Sequence, residues 1–221
     1  MTIDPKEARQ RNLPASARST LTAFGNPLRG KRTGFRVLKN HPRVVFDIPK
    51  GKRVFIIEGV SGSGKSTLLK QLAKRFPKAT CFSEEELLFD WRDNLLPGVT
   101  EFRLQLFGKV MDLLEKGMGK KGAFFILERF HLSLKVLDYA KDAGLEKRYA
   151  RLIARLRNLP VHVFLLTKQN KSHRERGKDW KSYLAWKRKA SGSLSLREMY
   201  AKERALFLKL ARSQHISFSA V

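Results

Sequence analysis

A single cysteine, Cys81, stands among 221 residues, so no intrachain disulfide and no multi-cysteine metal site can form. Its expected role is strand packing, and a reducing, cytoplasmic setting fits. Long apolar runs are missing as well. None approaches the roughly 20 residues that cross a bilayer, so a soluble protein with no membrane partner is expected. The N-terminus shows no signal-peptide apolar block, and although it is rich in Arg and Ser, Asp4 and Glu7 weigh against a transit peptide. Acidic residues are scarce: 20 Asp and Glu face 46 Lys and Arg, a formal net charge of +26 with a pI near 10.7. Such a surplus points to contact with a polyanion, nucleic acid first, unless it serves solubility alone.

What is present suits one α/β domain with an extension, since 42% of the residues are hydrophobic and can build a core. Residues 1–50 read as a basic, partly disordered N-terminal extension carrying Arg9, Arg11, Arg18, Arg29, Lys31, Arg32, Arg36, Lys39 and Arg43. It is either an arm that tracks phosphates or a tail without a partner. Residues 35–38 and 44–48 have the composition of paired strands, and Pro49-Lys50-Gly51 reads as the turn into the domain at 51–221.

From Arg53 on, strands alternate with helices. Strands are expected at 53–58, 80–83, 123–127, 161–166 and 216–221. Helices are expected at 65–76, 101–116, 132–157 with a break near Gly144, and at 195–212. Residues 117–122 read as a glycine break, and 168–189 as a basic polar segment. This alternation implies a parallel sheet between two helical layers, a three-layer P-loop NTPase fold. Ligands on such sheets sit at the carboxyl ends of the strands, where Gly59, Glu84 to Glu86, Glu128 and Arg129 fall.

Gly59-Val60-Ser61-Gly62-Ser63-Gly64-Lys65-Ser66-Thr67 is a complete phosphate-binding loop in the strand–turn–helix context that it requires. Gly59, Gly62 and Gly64 let the backbone turn tightly and aim N–H groups at phosphate oxygens, with Ser61, Ser63 and Thr67 lining the same loop. Lys65 is expected on the β- and γ-phosphates, and Ser66 on Mg²⁺. ATP and Mg²⁺ are therefore the expected cofactors. Two other users of this loop are excluded. No Leu-Ser-Gly-Gly-Gln signature marks an ABC-transporter ATPase, and no Asn-Lys-x-Asp guanine reader marks a regulatory GTPase.

Downstream, Phe124-Phe-Ile-Leu-Glu128-Arg129-Phe-His-Leu-Ser133 resembles the strand-end acidic-Arg motif, followed by Ser, of the thymidylate kinases and deoxyribonucleoside kinases. Residues 161–167 followed by His173-Arg174-Glu-Arg176-Gly-Lys178 are similar to their last core strand and arginine-bearing lid, and residues 199–221 to their closing helix and strand. Glu86, five residues before Trp91, resembles the catalytic Glu with a Trp at that offset in the deoxyribonucleoside kinases. The likeness covers about 53–221 in order of elements. It departs at the acceptor side: the Arg-Glu-Pro-Gly-Gly-Thr of thymidylate kinases is absent, and Glu-Pro-Val is here Glu86-Leu87-Leu88, with Arg103 the nearest counterpart of the substrate-reading Arg.

The resemblance implies an ATP- and Mg²⁺-dependent phosphotransferase acting on a nucleoside or nucleoside monophosphate, and kinases of this kind are often homodimers. Glu128 would orient a metal-bound water or accept the acceptor's proton; its alternative is an ion pair with Arg129. Arg129 would hold the acceptor or the transferring phosphate. Glu86 is the alternative base, or else a surface residue in an acidic run. Arg174, Arg176 and Lys178 would close over the donor, or form a solvated basic face. Trp91, Phe89 and Phe102 are candidates for stacking a base or for core packing. Two other functions stay open on the charge: a kinase of nucleic-acid 5′ ends, and a nucleotide-dependent nucleic-acid-binding protein without kinase activity.

Overall fold

The computed structural model describes residues 47–89, 92–93, 97–137, 143–168, 179–191 and 194–220. Nearly all of the basic extension, including the strand expected at 35–38, lies outside them. At its end Lys52 N donates to Pro49 O at 3.4 Å, closing the expected turn over Gly51.

The elements run β1 (Val54–Gly59), α1 (Lys65–Arg75), β2 (Thr80–Phe82), α2 (Val99–Met118), β3 (Phe125–Glu128), α3 (His131–Leu137), α4 (Ala143–Arg157), β4 (Val161–Leu166), α5 (Asp179–Ser191), α6 (Leu196–Ser213) and β5 (Phe218–Ala220). The strands form one all-parallel sheet in the order β2-β3-β1-β4-β5, with Val54 opposite both Phe125 and Val161. Every residue of β1, β3 and β4 is buried, which is why they read as mostly apolar runs rather than alternating ones.

Strand alternation divides the core. Val54, Ile56, Leu127, Val161, Val163 and Leu165 face helices α2, α4 and α6 through Phe107, Met111, Leu114, Ile153, Leu156 and Phe207. On the other side Phe55, Ile57, Ile126, Phe164 and Leu166 meet Leu68 and Leu72 of α1. Each of those two leucines, fully buried, contributes about 1.5–3 kcal/mol. Phe55, Phe76, Phe124 and Phe164 continue this layer, with Phe76 and Phe124 stacked at 4.8 Å between ring centroids. Cys81 lies half-buried at its edge, a packing residue as expected.

Two expectations are revised. Helix α2 does not stop before Gly117 but passes through it to Met118; a Cβ there would sit 2.4 Å from Cζ of Phe125, so this glycine lets the Phe125 ring pack against the helix. Much of the basic polar segment is helix: α5 buries Tyr183 and Lys187, and its cationic text concealed an inward face. The final helix α6 starts as expected, at a capping box in which Ser195 and Glu198 satisfy each other's backbone N–H. Among the described residues no helix is long and apolar enough to cross a membrane.

Candidate active site

At the carboxyl edge of the sheet β1 ends in Gly59, and the chain turns through 60–64 into α1. Gly59 has φ 134°, and a Cβ on it would lie 2.0 Å from Leu166 O, so only glycine lets β1 and β4 approach here. Gly62 and Gly64 also take positive φ, 81° and 94°. This is the wound backbone of a phosphate cradle, and the residues present fit a phosphate. The Ser63 hydroxyl is buried without a hydrogen-bond partner among the described residues. Lys65 is only 4% exposed, and its Nζ donates to Val60 O at 3.1 Å. Burial, reinforced by the charge of Arg129, depresses its pKa to about 8. A buried ammonium and an unpaired buried hydroxyl are the groups that a phosphate dianion would satisfy.

Ser66 opens α1 and donates to Glu128 Oε1 at 2.7 Å, and Thr67 follows it half-buried. Glu128 closes β3. Its carboxyl is pushed above the ordinary range by burial and then by the nearby Glu84. A hydroxyl and a carboxylate together suit Mg²⁺, which takes few protein oxygens and completes its shell with phosphates and water. No cluster of three or more His, Cys, Asp or Glu able to hold a metal occurs among the described residues, so a bound nucleotide would have to contribute to any such site.

Arg129, the first residue after β3, has φ 64°, a left-handed conformation costing a non-glycine residue about 1–3 kcal/mol. The surroundings enforce it: Arg129 N donates to Ile57 O at 2.9 Å. Its guanidinium pairs with Glu84 Oε2 at 2.7 Å through Nε, and Nη2 donates to Ser61 Oγ of the loop at 3.3 Å. Burial works against its charge, and Glu84 more than offsets that. Beneath it Glu58, fully buried, accepts from the amides of Phe130, Leu132 and Ser133 at 3.0, 2.9 and 3.2 Å and from the Ser133 hydroxyl, capping α3. Burial nonetheless pushes the Glu58 carboxyl up.

Lys65, Ser66, Glu128 and Arg129 are thus brought together at this edge. Glu86 is not among them: it is exposed, and its carboxylate accepts from Ser83 N at 2.7 Å and Ser83 Oγ at 3.0 Å, tying off the turn after β2. Glu84, two residues earlier, meets Arg129 instead. Arg103 is fully buried and donates through Nε to Leu88 O at 2.7 Å and through Nη2 to the same oxygen, while its guanidinium lies 4.9 Å from the Phe89 ring centroid. It fastens the turn after β2 to α2. Phe89 packs in the core, whereas Phe102 is 38% exposed. Trp91, Arg174, Arg176 and Lys178 lie outside the described residues.

Three participants escaped the sequence reading. Glu84 was one of three consecutive acids, with nothing local to single it out. Glu58 reads only as the end of a strand. Tyr183 of α5 donates to Ser61 Oγ at 2.8 Å, across 122 residues of chain. Only the packing of α5 reveals it.

No protein-family model matches the chain, and no curated protein matches it. Among solved structures it is similar to thymidylate kinase from Ehrlichia chaffeensis, at 15% identity over 77% of this chain and 93% of that one, with a TM-score of 0.47. The YorR protein of Bacillus subtilis in complex with phosphorylated GDP shares 16% identity over 76% of this chain and 84% of its own, with a TM-score of 0.45. Thymidylate kinase from Candida albicans shares 18% over 77% and 84%, with a TM-score of 0.42. The chain's own topology, a wound phosphate loop between β1 and α1 of an all-parallel sheet with helices on both faces, is that of a three-layer P-loop α/β fold.

Proposed function

We propose that the chain is an ATP- and Mg²⁺-dependent kinase that moves the γ-phosphate of ATP to a nucleoside or nucleoside monophosphate. The observation that carries this reading is Arg129, held between Glu84 and Ser61 of the phosphate loop. Phosphoryl transfer asks little covalent help of a protein: it needs alignment, and cations around the transferred group. Lys65 and the loop amides supply one side, and Arg129 supplies a second cation beside the loop. The acceptor's oxygen attacks the γ-phosphorus, the bond to the β–γ bridging oxygen breaks, and ADP leaves. Ser66 and Glu128 would hold Mg²⁺, which when bound spreads charge off the phosphates. Glu84, partly exposed beside Arg129, and Glu128 are the two carboxylates placed to take the acceptor's proton.

The test is transfer of labelled γ-phosphate to nucleosides, nucleoside monophosphates and 5′-hydroxyl oligonucleotides, with Lys65→Ala as control. Label on a small acceptor, lost in Lys65→Ala, supports the reading. No label on any acceptor from a folded protein refutes it and favours a nucleotide-gated binding protein. A nucleic-acid 5′ end is the second acceptor class, favoured by the distribution of charge: residues 51–221 hold 35 Lys and Arg against 17 Asp and Glu, so most of the surplus lies outside the extension. That reading requires oligonucleotide binding that weakens steeply with salt.

A further inference from the structure

Ser61 occupies the third position of the phosphate loop, and its hydroxyl is engaged from two sides. Arg129 Nη2 approaches from the end of β3 at 3.3 Å, and the Tyr183 hydroxyl approaches from α5 at 2.8 Å. A serine hydroxyl has two acceptor positions and one proton to give. A guanidinium only donates, and here the phenol donates too. Both acceptor positions of Ser61 are therefore filled from outside the loop, and among the described residues its own proton meets no acceptor.

Tyr183 is not a wandering surface residue. It is buried, and burial pushes its pKa up, so the phenol keeps its proton. One turn along α5, Lys187 is also buried, with its ammonium 5.5 Å from the Tyr183 ring centroid and 4.1 Å from that of Tyr200 on α6. The same ammonium pairs with Glu203 Oε1 at 2.8 Å. A cation between two rings and a carboxylate pins α5 to α6 and holds the Tyr183 phenol on the loop.

We propose that Tyr183 is a positioning residue of the phosphate site: with Arg129 it fills both acceptor positions of Ser61 and makes that hydroxyl an obligate donor to the terminal phosphate of the bound nucleotide. The inference rests on the reading of the loop as a nucleotide site. It assigns Ser61 to the terminal phosphate because its other partner, Arg129, stands on the acceptor side. The arrangement gives a nucleotide triphosphate a hydrogen bond that a diphosphate lacks, and it makes the affinity difference between them depend on a side chain outside the loop.

The experiment is equilibrium binding of Mg²⁺ complexes of ADP and of a non-hydrolysable ATP analogue to the full chain and to Ser61→Ala, Ser61→Thr, Tyr183→Phe and the Ser61→Ala/Tyr183→Phe double variant, with the melting temperature of each. Ser61→Ala and Tyr183→Phe should each weaken the triphosphate about three- to tenfold, the worth of one neutral hydrogen bond, and weaken ADP less. Ser61→Thr keeps a hydroxyl and should bind the analogue within about twofold of the wild type. The double variant should be no weaker than Ser61→Ala alone, because the two residues act through one proton. Additive losses, or equal losses for ADP and the triphosphate analogue, overturn the proposal while leaving the nucleotide site standing. If Tyr183→Phe does not fold, Ser61→Ala against Ser61→Thr decides: equal affinities overturn it. A folded wild type that binds neither nucleotide overturns the nucleotide-site reading, and this inference with it.

Discussion

Replacing Glu58 tests the framework on which the site is built. Its carboxylate is fully buried and accepts from three amides at the start of α3, those of Phe130, Leu132 and Ser133, plus the Ser133 hydroxyl. Ala would leave those donors buried and unpaired, each costing about 1–3 kcal/mol, and would open a small cavity between β1 and α3. Partial relaxation keeps the total below the simple sum, so about 4 kcal/mol is expected. Gln preserves an oxygen for Phe130 and Leu132 but turns an NH₂ toward the Ser133 amide, for a loss of about 1–3 kcal/mol. In a chain of this length each kcal/mol lowers the melting temperature by about 2–4 °C, so Glu58→Gln should melt roughly 2–12 °C lower and Glu58→Ala at least 8 °C lower. Urea unfolding followed by circular dichroism supplies the free energies and thermal melts the temperatures. Because α3 begins two residues after Arg129, folded Glu58→Gln should lose phosphoryl transfer more than nucleotide binding. If Glu58→Ala melted within about 2 °C of the wild type, the cap would not bear on stability and the reasoning would be wrong.

Other consequences can be measured separately. Only the ammonium form of Lys65 attracts phosphate, and its pKa in the unliganded protein is about 8. ATP affinity, measured calorimetrically, should hold below pH 8 and fall toward tenfold per pH unit above it, whereas Lys65→Arg should bind less tightly with no such fall. Glu84→Gln removes the charge that orients Arg129 and should lower kcat by at least about tenfold with little change in the KM for ATP; a change confined to that KM would place Glu84 on the donor side instead. Arg129→Lys should be nearly as damaging as Arg129→Ala, since an ammonium cannot bridge Glu84 and Ser61 as a fork does. His162 lies between the hydroxyls of Ser217 and Ser219, at 2.9 and 3.0 Å, and burial lowers its pKa to about 4 from 6.5. The unfolded chain then binds the extra proton first, so stability is kept above pH 6.5 and lost as the pH falls. Urea unfolding should show this group removing about 2 kcal/mol between pH 7 and pH 5, and His162→Asn should abolish that share of the slope; an unchanged slope would mean that His162 titrates normally in the fold.

The sheet was legible because its signals are local. Residues 54–57, 123–127 and 163–166 are apolar throughout, and strands covered on both faces use such text. The observed β1 and β3 run one residue further than expected, to Gly59 and Glu128, because ladder pairing to β4 and β1 reaches the residues that turn into the site. What misled was residue type read without neighbours. Gly117 looked like a helix stop, yet its missing side chain is needed by the Phe125 ring. Lys187 looked like solvent-facing text and dissolved the pattern of α5. In the fold its charge is met by the Tyr183 ring of its own helix and by Glu203 and the Tyr200 ring, which only a second helix could supply.

The two halves of the site differ in the same way. The loop that would cradle the donor phosphates lies in nine consecutive residues, where the spacing itself encodes a glycine-rich turn running into a helix start, so it announces itself. The residues that meet the loop from outside it lie far apart in the chain: Glu84 after β2, Arg129 after β3, Tyr183 on α5. Choosing Glu84 over Glu86 needs the turn that follows β2, in which Phe89 N bonds to Glu84 O at 2.7 Å and Leu88 takes φ 59°. That turn points one carboxylate at Arg129 and ties the other to Ser83, although the two are equivalent as text. Donor chemistry constrains backbone shape, and backbone shape constrains neighbours in sequence. The contacts around the loop constrain only where side chains meet, which three separate connections can satisfy without leaving a motif.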